Sequence, residues 1–162
     1  MKIISATDGH LDGWMELTDR VRESFPGLES PEALEEHRKT VQEFIRRESA
    51  ICAVENGRVV GALLFSREES RLCFLAVEPS FRRRRAAAGM VSYMLTLMNP
   101  ERDITVTTYR EGTPAGIAAR AFYKSMGFTA GLLTEEFGCP VQEFVLRRRK
   151  ESENSAASVT SP

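Results

Sequence analysis

Apolar and polar positions along the chain change period several times, and each change marks an element. Ile3, Ile4 and Ala6 predict a short strand over Lys2–Thr7, with Asp8-Gly9 as the turn after it. Leu11, Trp14, Met15, Leu17, Thr18 and Val21 then recur at steps of three and four, the spacing of one helix face, ending before Phe25-Pro26-Gly27. A second amphipathic helix opens at Ser30-Pro31-Glu32. There a cap residue precedes a proline whose missing N–H is harmless in a first turn, and Leu34, Val41, Phe44 and Ile45 continue the apolar face. From Ser49 the period shortens, and Ile51–Val54 and Val59–Phe65 flank Asn56-Gly57, the signature of a tight hairpin.

A third strand is predicted over Arg71–Val77, stopped by Pro79. Met90, Val91, Met94, Leu95 and Met98 then place a helix over Ala86–Met98. The β-branched run Ile104–Tyr109 predicts a strand, and Gly112-Thr113-Pro114 opens a helix that runs to a stop at Gly127. Two last strands, Phe128–Phe137 and Val141–Leu146, lie around Gly138-Cys139-Pro140. This order of elements predicts a mixed α/β (α+β) fold, a twisted sheet with helices on both faces.

With 162 residues the chain supports one domain, and hydrophobicity fixes its extent. Residues 1–146 carry the periodic pattern. Residues 147–162 begin Arg147-Arg148-Arg149-Lys150 and turn wholly polar, a composition that predicts a disordered tail. No apolar run approaches the roughly 18–20 residues of a membrane span, and Met1–Ser5 leads into polar sequence instead of a signal-peptide core, so a cytoplasmic location is expected. The 22 basic and 23 acidic residues nearly cancel, which argues against a nucleic-acid coat. The three cysteines are odd in number and far apart, and Cys52 and Cys73 sit in apolar runs that read as buried, inert thiols. His10 and His37 have no partners at ligand spacing, so no metal is expected. Neither a G-x-S-x-G turn nor a Cys/His pairing supports covalent catalysis.

The near-zero charge hides one concentration. In Leu72–Met90 a strand runs into Arg82-Arg83-Arg84-Arg85, followed by Ala86-Ala87-Ala88-Gly89 at the start of a helix. Unpaired N–H groups and the positive end of the helix dipole favour an anion there, small residues leave the backbone accessible, and guanidinium forks suit phosphate oxygens. A basic surface loop is the plainer alternative.

This stretch resembles the acyl-CoA-binding motif of the GNAT N-acetyltransferases, V-x-P-x-x-R-x-x-G-x-G/A before an apolar helix. Val77, Pro79, Arg82 and Ala87 match in register, and Arg85 stands where the family has glycine. Downstream, Ala119-Arg120-Ala121-Phe122-Tyr123-Lys124-Ser125-Met126-Gly127-Phe128 is similar to the family's A-x-x-L-Y-x-x-x-G-F segment, with Gly116 where the family often has Asn seven residues before the tyrosine.

The resemblance implies a mostly antiparallel twisted sheet flanked by helices, the GNAT-like acyl-CoA N-acyltransferase fold. It also implies direct transfer of an acetyl group from acetyl-CoA, as co-substrate, to a primary amine of a small molecule or peptide. In that picture Leu75, Ala76 and Val77 border the pantetheine arm. Arg82, Arg83, Arg84, Arg85, Ala86, Ala87 and Ala88 hold phosphates that carry roughly four negative charges. Tyr123 is the general acid for the departing thiolate; a phenol near 10 against a thiol near 8.5 makes that transfer uphill by roughly 2 kcal/mol. Glu78, Glu135 and Glu136 are candidates for a general base by their places near strand ends. Eleven acids against six bases between Asp8 and Glu48 point to a cationic acceptor. Arg85 and Gly116 keep open a degenerate GNAT-like domain that binds acyl-CoA without efficient turnover. A nucleic-acid or acidic-partner module using Arg82–Arg85 is a further alternative, disfavoured by the acidic remainder. The sequence leaves the oligomeric state open, a homodimer included.

Overall fold

Two pairs of helices cover opposite faces of one seven-stranded sheet. The structure is a computed structural model that describes residues 1–25, 27–82 and 85–148. Its elements are β1 (Lys2–Ser5), α1 (Leu11–Val21), α2 (Pro31–Arg46), β2 (Ala50–Glu55), β3 (Arg58–Ser66), β4 (Arg71–Val77), α3 (Ala86–Leu97), β5 (Ile104–Tyr109), α4 (Ile117–Ser125), β6 (Thr129–Glu136) and β7 (Cys139–Leu146), with three short 3₁₀ turns. The strand order is β1-β2-β3-β4-β5-β7-β6. Every neighbouring pair is antiparallel except β4 and β5, so the mixed, mostly antiparallel sheet expected from the resemblance is present.

The apolar helix faces read from the sequence pack on opposite sides of the sheet. Trp14, Leu17 and Val21 of α1 and Val41 of α2 bury themselves against Cys52, Val59, Ala62 and Leu64. Met90, Val91 and Met94 of α3 and Tyr123 of α4 pack on the other face with Leu63, Phe65, Ile104 and Phe144. Each fully buried Leu, Val or Met side chain contributes roughly 1.5–3 kcal/mol, so both layers hold firmly to the sheet between them. α3 lies very close: a Cβ added to Gly61 of β3 would stand 2.7 Å from Met90 Cε.

The helix expected to open at Gly112-Thr113-Pro114 begins later, at Ile117. Gly112 (φ +89°) and Gly116 (φ +81°) take left-handed backbone that no helix propagates. The segment before Ile117 is held instead by the buried Arg120. Its Nη1 donates to the carbonyls of Tyr109 (3.0 Å) and Ala115 (2.8 Å), and its Nη2 to that of Thr113 (2.7 Å). Cys73 also differs from expectation, being exposed where the apolar run suggested burial. At the C-terminus Asp103 accepts from the Arg148 N–H (2.8 Å) and pairs with Arg147 (3.1 Å). The rest of the expected tail, residues 149–162, lies outside the described residues, as do Pro26, Arg83 and Arg84. No helix among the described residues is long and apolar enough to cross a membrane.

Candidate functional site

Cys73 is an extra residue. Leu64 pairs with Phe74 and the next residue, Phe65, with Leu72, so β4 bulges by one position there. A bulge bends its strand and sharpens the twist. Past it β4 leaves β5, and the two strands share a single registered pair, Arg71 with Thr105. Leu75, Ala76 and Val77 continue along β3 only. The Glu78 N–H donates to the Val60 carbonyl (2.8 Å), and backbone groups alternate sides along a strand. Ala76 therefore spends its backbone groups on β3, while those of Leu75 and Val77 face the gap towards β5.

That gap is part of a cavity of about 1290 Å³ bordered by β4, Val106–Tyr109 of β5, the start of α3 and one side of α4. Arg82, Arg85, Ala86, Ala87 and Ala88 all line it. Among the described residues the first N–H of α3 with a backbone acceptor is that of Gly89, which donates to the Arg85 carbonyl (2.9 Å), and no side-chain hydrogen bond from Arg85 caps the helix. The N–H groups of Ala86–Ala88 thus open the helix at the cavity with its positive dipole end. Arg85 adopts φ +65° and ψ +16°, the left-handed region. This explains the family glycine at that position: the turn into α3 needs left-handed backbone, and Arg85 supplies it at a cost of about 1–2 kcal/mol. Arg85 also adds a cation to this end of the cavity. Gly116 has a similar explanation, because a Cβ there would lie 2.9 Å from Tyr109 Cβ, in left-handed backbone.

Tyr123 sits on the inner face of α4, buried, with its ring 5.5 Å from that of Phe128 and 6.5 Å from that of Phe144. It also lines the cavity. Burial pushes its phenol well above the usual range, so the group keeps its proton and remains a donor through neutral and alkaline pH. Of the carboxylate candidates, Glu78 is drawn away from the cavity: its Oε2 pairs with Arg20 Nε (2.8 Å) and lies 3.6 Å from Arg58, tying α1 to the end of β4. Glu135 is exposed on β6. Only Glu136 lines the cavity, its Oε1 accepting from Arg71 Nη2 (3.2 Å), which also donates to Thr107 Oγ1 (2.7 Å).

The hydrophobic pattern gave no sign of the far end of the cavity. Phe25, Leu28 and His37 from the α1–α2 region meet Phe74 of β4 and Phe137 of the β6–β7 turn there. Phe74 lies 4.8 Å from the Phe25 ring and 4.7 Å from His37. Trp14 Nε1 donates to His37 Nε2 (3.3 Å), and burial lowers the imidazole to about 4, so His37 is neutral there. None of the acids counted between Asp8 and Glu48 lines this space, though Glu29 approaches it, its Oε1 accepting from the N–H of Gly27 (3.1 Å). All but the half-buried Glu43 are exposed, and Asp12, Asp19, Glu36 and Glu43 pair with neighbouring cations on the outer surface. Among the described residues no cluster of three or more metal-ligating side chains occurs.

A sequence model described as Acetyltransferase (GNAT) family matches residues 14–128. The fold is similar to that of a GNAT-family acetyltransferase from Bacillus cereus, with a TM-score of 0.70 at 19% identity over 91% of this chain and 96% of the other. It is also similar to an N-acetyltransferase from Staphylococcus aureus, with a TM-score of 0.70 at 14% identity over 90% and 100% of the two chains. A PaiA N-acetyltransferase from Thermoplasma acidophilum, solved in complex with coenzyme A, has a TM-score of 0.65 at 13% identity over 88% and 96%. Among curated proteins nothing matches significantly.

Proposed function

The chain belongs to the acetyltransferase (GNAT) family, and from that premise we propose that it moves an acetyl group from acetyl-CoA to a primary amine, with both substrates bound together. One observation carries the reading. The gap between β4 and β5 and the cationic start of α3 belong to a single cavity, which Tyr123 also lines. The residues fit a CoA thioester. Arg82, Arg85 and the N–H groups of Ala86–Ala88 suit its phosphates, and the backbone groups of Leu75 and Val77 suit the amides of a pantetheine arm entering the gap.

In the proposed reaction the amine nitrogen attacks the thioester carbonyl carbon, the C–S bond breaks, and CoA leaves as a thiolate while the ammonium nitrogen gives up a proton. A backbone N–H facing the gap would stabilise the oxyanion that forms on the carbonyl oxygen. Tyr123, kept protonated by burial, would donate to the departing sulfur. An amine near pKa 10.4 is less than a thousandth neutral at pH 7, so losing its proton is part of the work of the acceptor end.

The test is calorimetric titration with acetyl-CoA, followed by CoA thiol release across a panel of primary amines. Micromolar binding with amine-dependent release is expected. Binding without release would favour the non-catalytic acyl-CoA binder, and absence of binding would overturn the reading.

A further inference from the structure

The cavity has two unlike ends. Arg82 and Arg85 stand at one, and Glu136 is the only carboxylate among its described lining residues, at the other. The same cavity is lined by aromatic rings: Phe25 and Phe74, with ring centroids 4.8 Å apart, and Phe137, next to Glu136 in the chain.

Phe137 is the telling residue. It occupies the first position of the two-residue turn between β6 and β7, with φ +51°, followed by Gly138 at φ +75°. Such turns favour Asn or Asp followed by Gly, and a bulky residue in left-handed backbone is strained. Burial gives no compensation, because Phe137 is 77% exposed. Its ring reaches across to the loop between α1 and α2. A Cβ added to Gly27 would lie 3.2 Å from three of its ring carbons, so the absence of a side chain at Gly27 makes room for it. A strained, exposed aromatic leaning over a cavity serves what enters the cavity.

Resting on the acetyl-transfer reading above, we propose that the acceptor is a primary ammonium carrying an aromatic group, its charge set against Glu136 and its ring received by Phe25, Phe74 and Phe137. His37 bounds the same space as a neutral ring, held by the Trp14 N–H, and adds no opposing charge. A polycation finds one lining carboxylate, already shared with Arg71.

Binding and transfer are measured separately. With the protein saturated by CoA, calorimetry compares 2-phenylethylamine, propylamine, spermidine and a short peptide beginning with phenylalanine. The aromatic amine is expected to bind at least tenfold tighter than propylamine, with spermidine no tighter than propylamine. Equal affinities, or a preference for spermidine, would overturn the proposal. The peptide arm distinguishes the source of the shared chemistry: tighter binding than the free amine assigns a peptide N-terminus, weaker binding a small molecule.

F137N keeps a residue suited to the turn and removes the ring; it should melt no lower than the parent chain while losing about tenfold of the aromatic preference. A folded F137N with the preference intact would also overturn the proposal. Tight aromatic binding without acetyl transfer would uphold this inference and sink the enzymatic reading. Transfer confined to non-aromatic amines would do the reverse.

Discussion

Replacing Arg85 by glycine should strengthen the fold and weaken the site. Arg85 sits at φ +65° in left-handed backbone, which costs an L residue about 1–2 kcal/mol, and glycine adopts it freely. Part of the gain is returned because glycine adds entropy to the unfolded chain, about 0.4–1 kcal/mol. The net expectation is a stabilisation of roughly 0.5–1 kcal/mol, or a melting temperature higher by about 1–4 °C for a chain of this size. The lost guanidinium acts in the opposite direction on binding. It is exposed, so solvent screens its pairing with a phosphate, and acetyl-CoA affinity should fall about three- to tenfold with a shallower salt dependence. Thermal unfolding and calorimetric titration at two ionic strengths read the two effects independently. R85K keeps both the charge and the strained backbone, so its stability should match the parent while its affinity falls between the two. An R85G protein that melts lower, or that binds acetyl-CoA as tightly as the parent, would refute the reasoning.

Y123F should lower turnover about 10–100-fold with acetyl-CoA affinity retained, and the parent enzyme should show no falling alkaline limb in kcat below pH 10, because burial holds the phenol protonated. Full activity in Y123F would remove the side chain from the mechanism. G116A adds a left-handed alanine and a Cβ 2.9 Å from Tyr109 Cβ, so denaturant unfolding should show a loss of about 2–4 kcal/mol. For His37 the folded value of about 4 lies below the ordinary 6.5, so between these values the unfolded chain binds more protons and stability falls as pH falls. That window is worth roughly 3 kcal/mol. H37Q, which keeps an acceptor for the Trp14 N–H and does not titrate, should show a correspondingly flatter acid dependence in unfolding midpoints.

Local chemistry was readable wherever it sufficed. Asn56-Gly57 forms its hairpin with both residues at positive φ, and Arg71–Val77 and Ile104–Tyr109 form strands with the predicted ends. Ser30 caps α2 by accepting from the Ala33 N–H, as a serine before proline suggests. That Arg82, Arg85 and the start of α3 share one place was legible for the same reason, since strand, basic loop and helix are contiguous. What could not be read depends on distant partners. The bulge at Cys73 arises in pairing with β3, inside a run of Leu72-Cys73-Phe74 whose apolar character has no marker for it. The start of α4 is decided by Arg120 reaching back to three carbonyls, a tertiary choice that overrides the Gly-Thr-Pro helix signal. Phe25, His37, Phe74 and Phe137 come from four separate segments, and Arg71 meets Glu136 across 65 positions. The local net charge between Asp8 and Glu48 is spread over exposed positions, because helix faces, not totals, decide which acids look inward.

The central claim is that acetyl-CoA lies in the gap between β4 and β5 with its phosphates at the start of α3. Residue-resolved amide hydrogen exchange with and without acetyl-CoA tests it most directly. The N–H groups of Leu75 and Val77 face the gap, and those of Ala86–Ala88 lie in the first turn of α3 at the cavity, so all five should slow on binding while Ala76, bonded to β3, changes little. Protection confined to other strands, or none at saturating acetyl-CoA, would contradict the account.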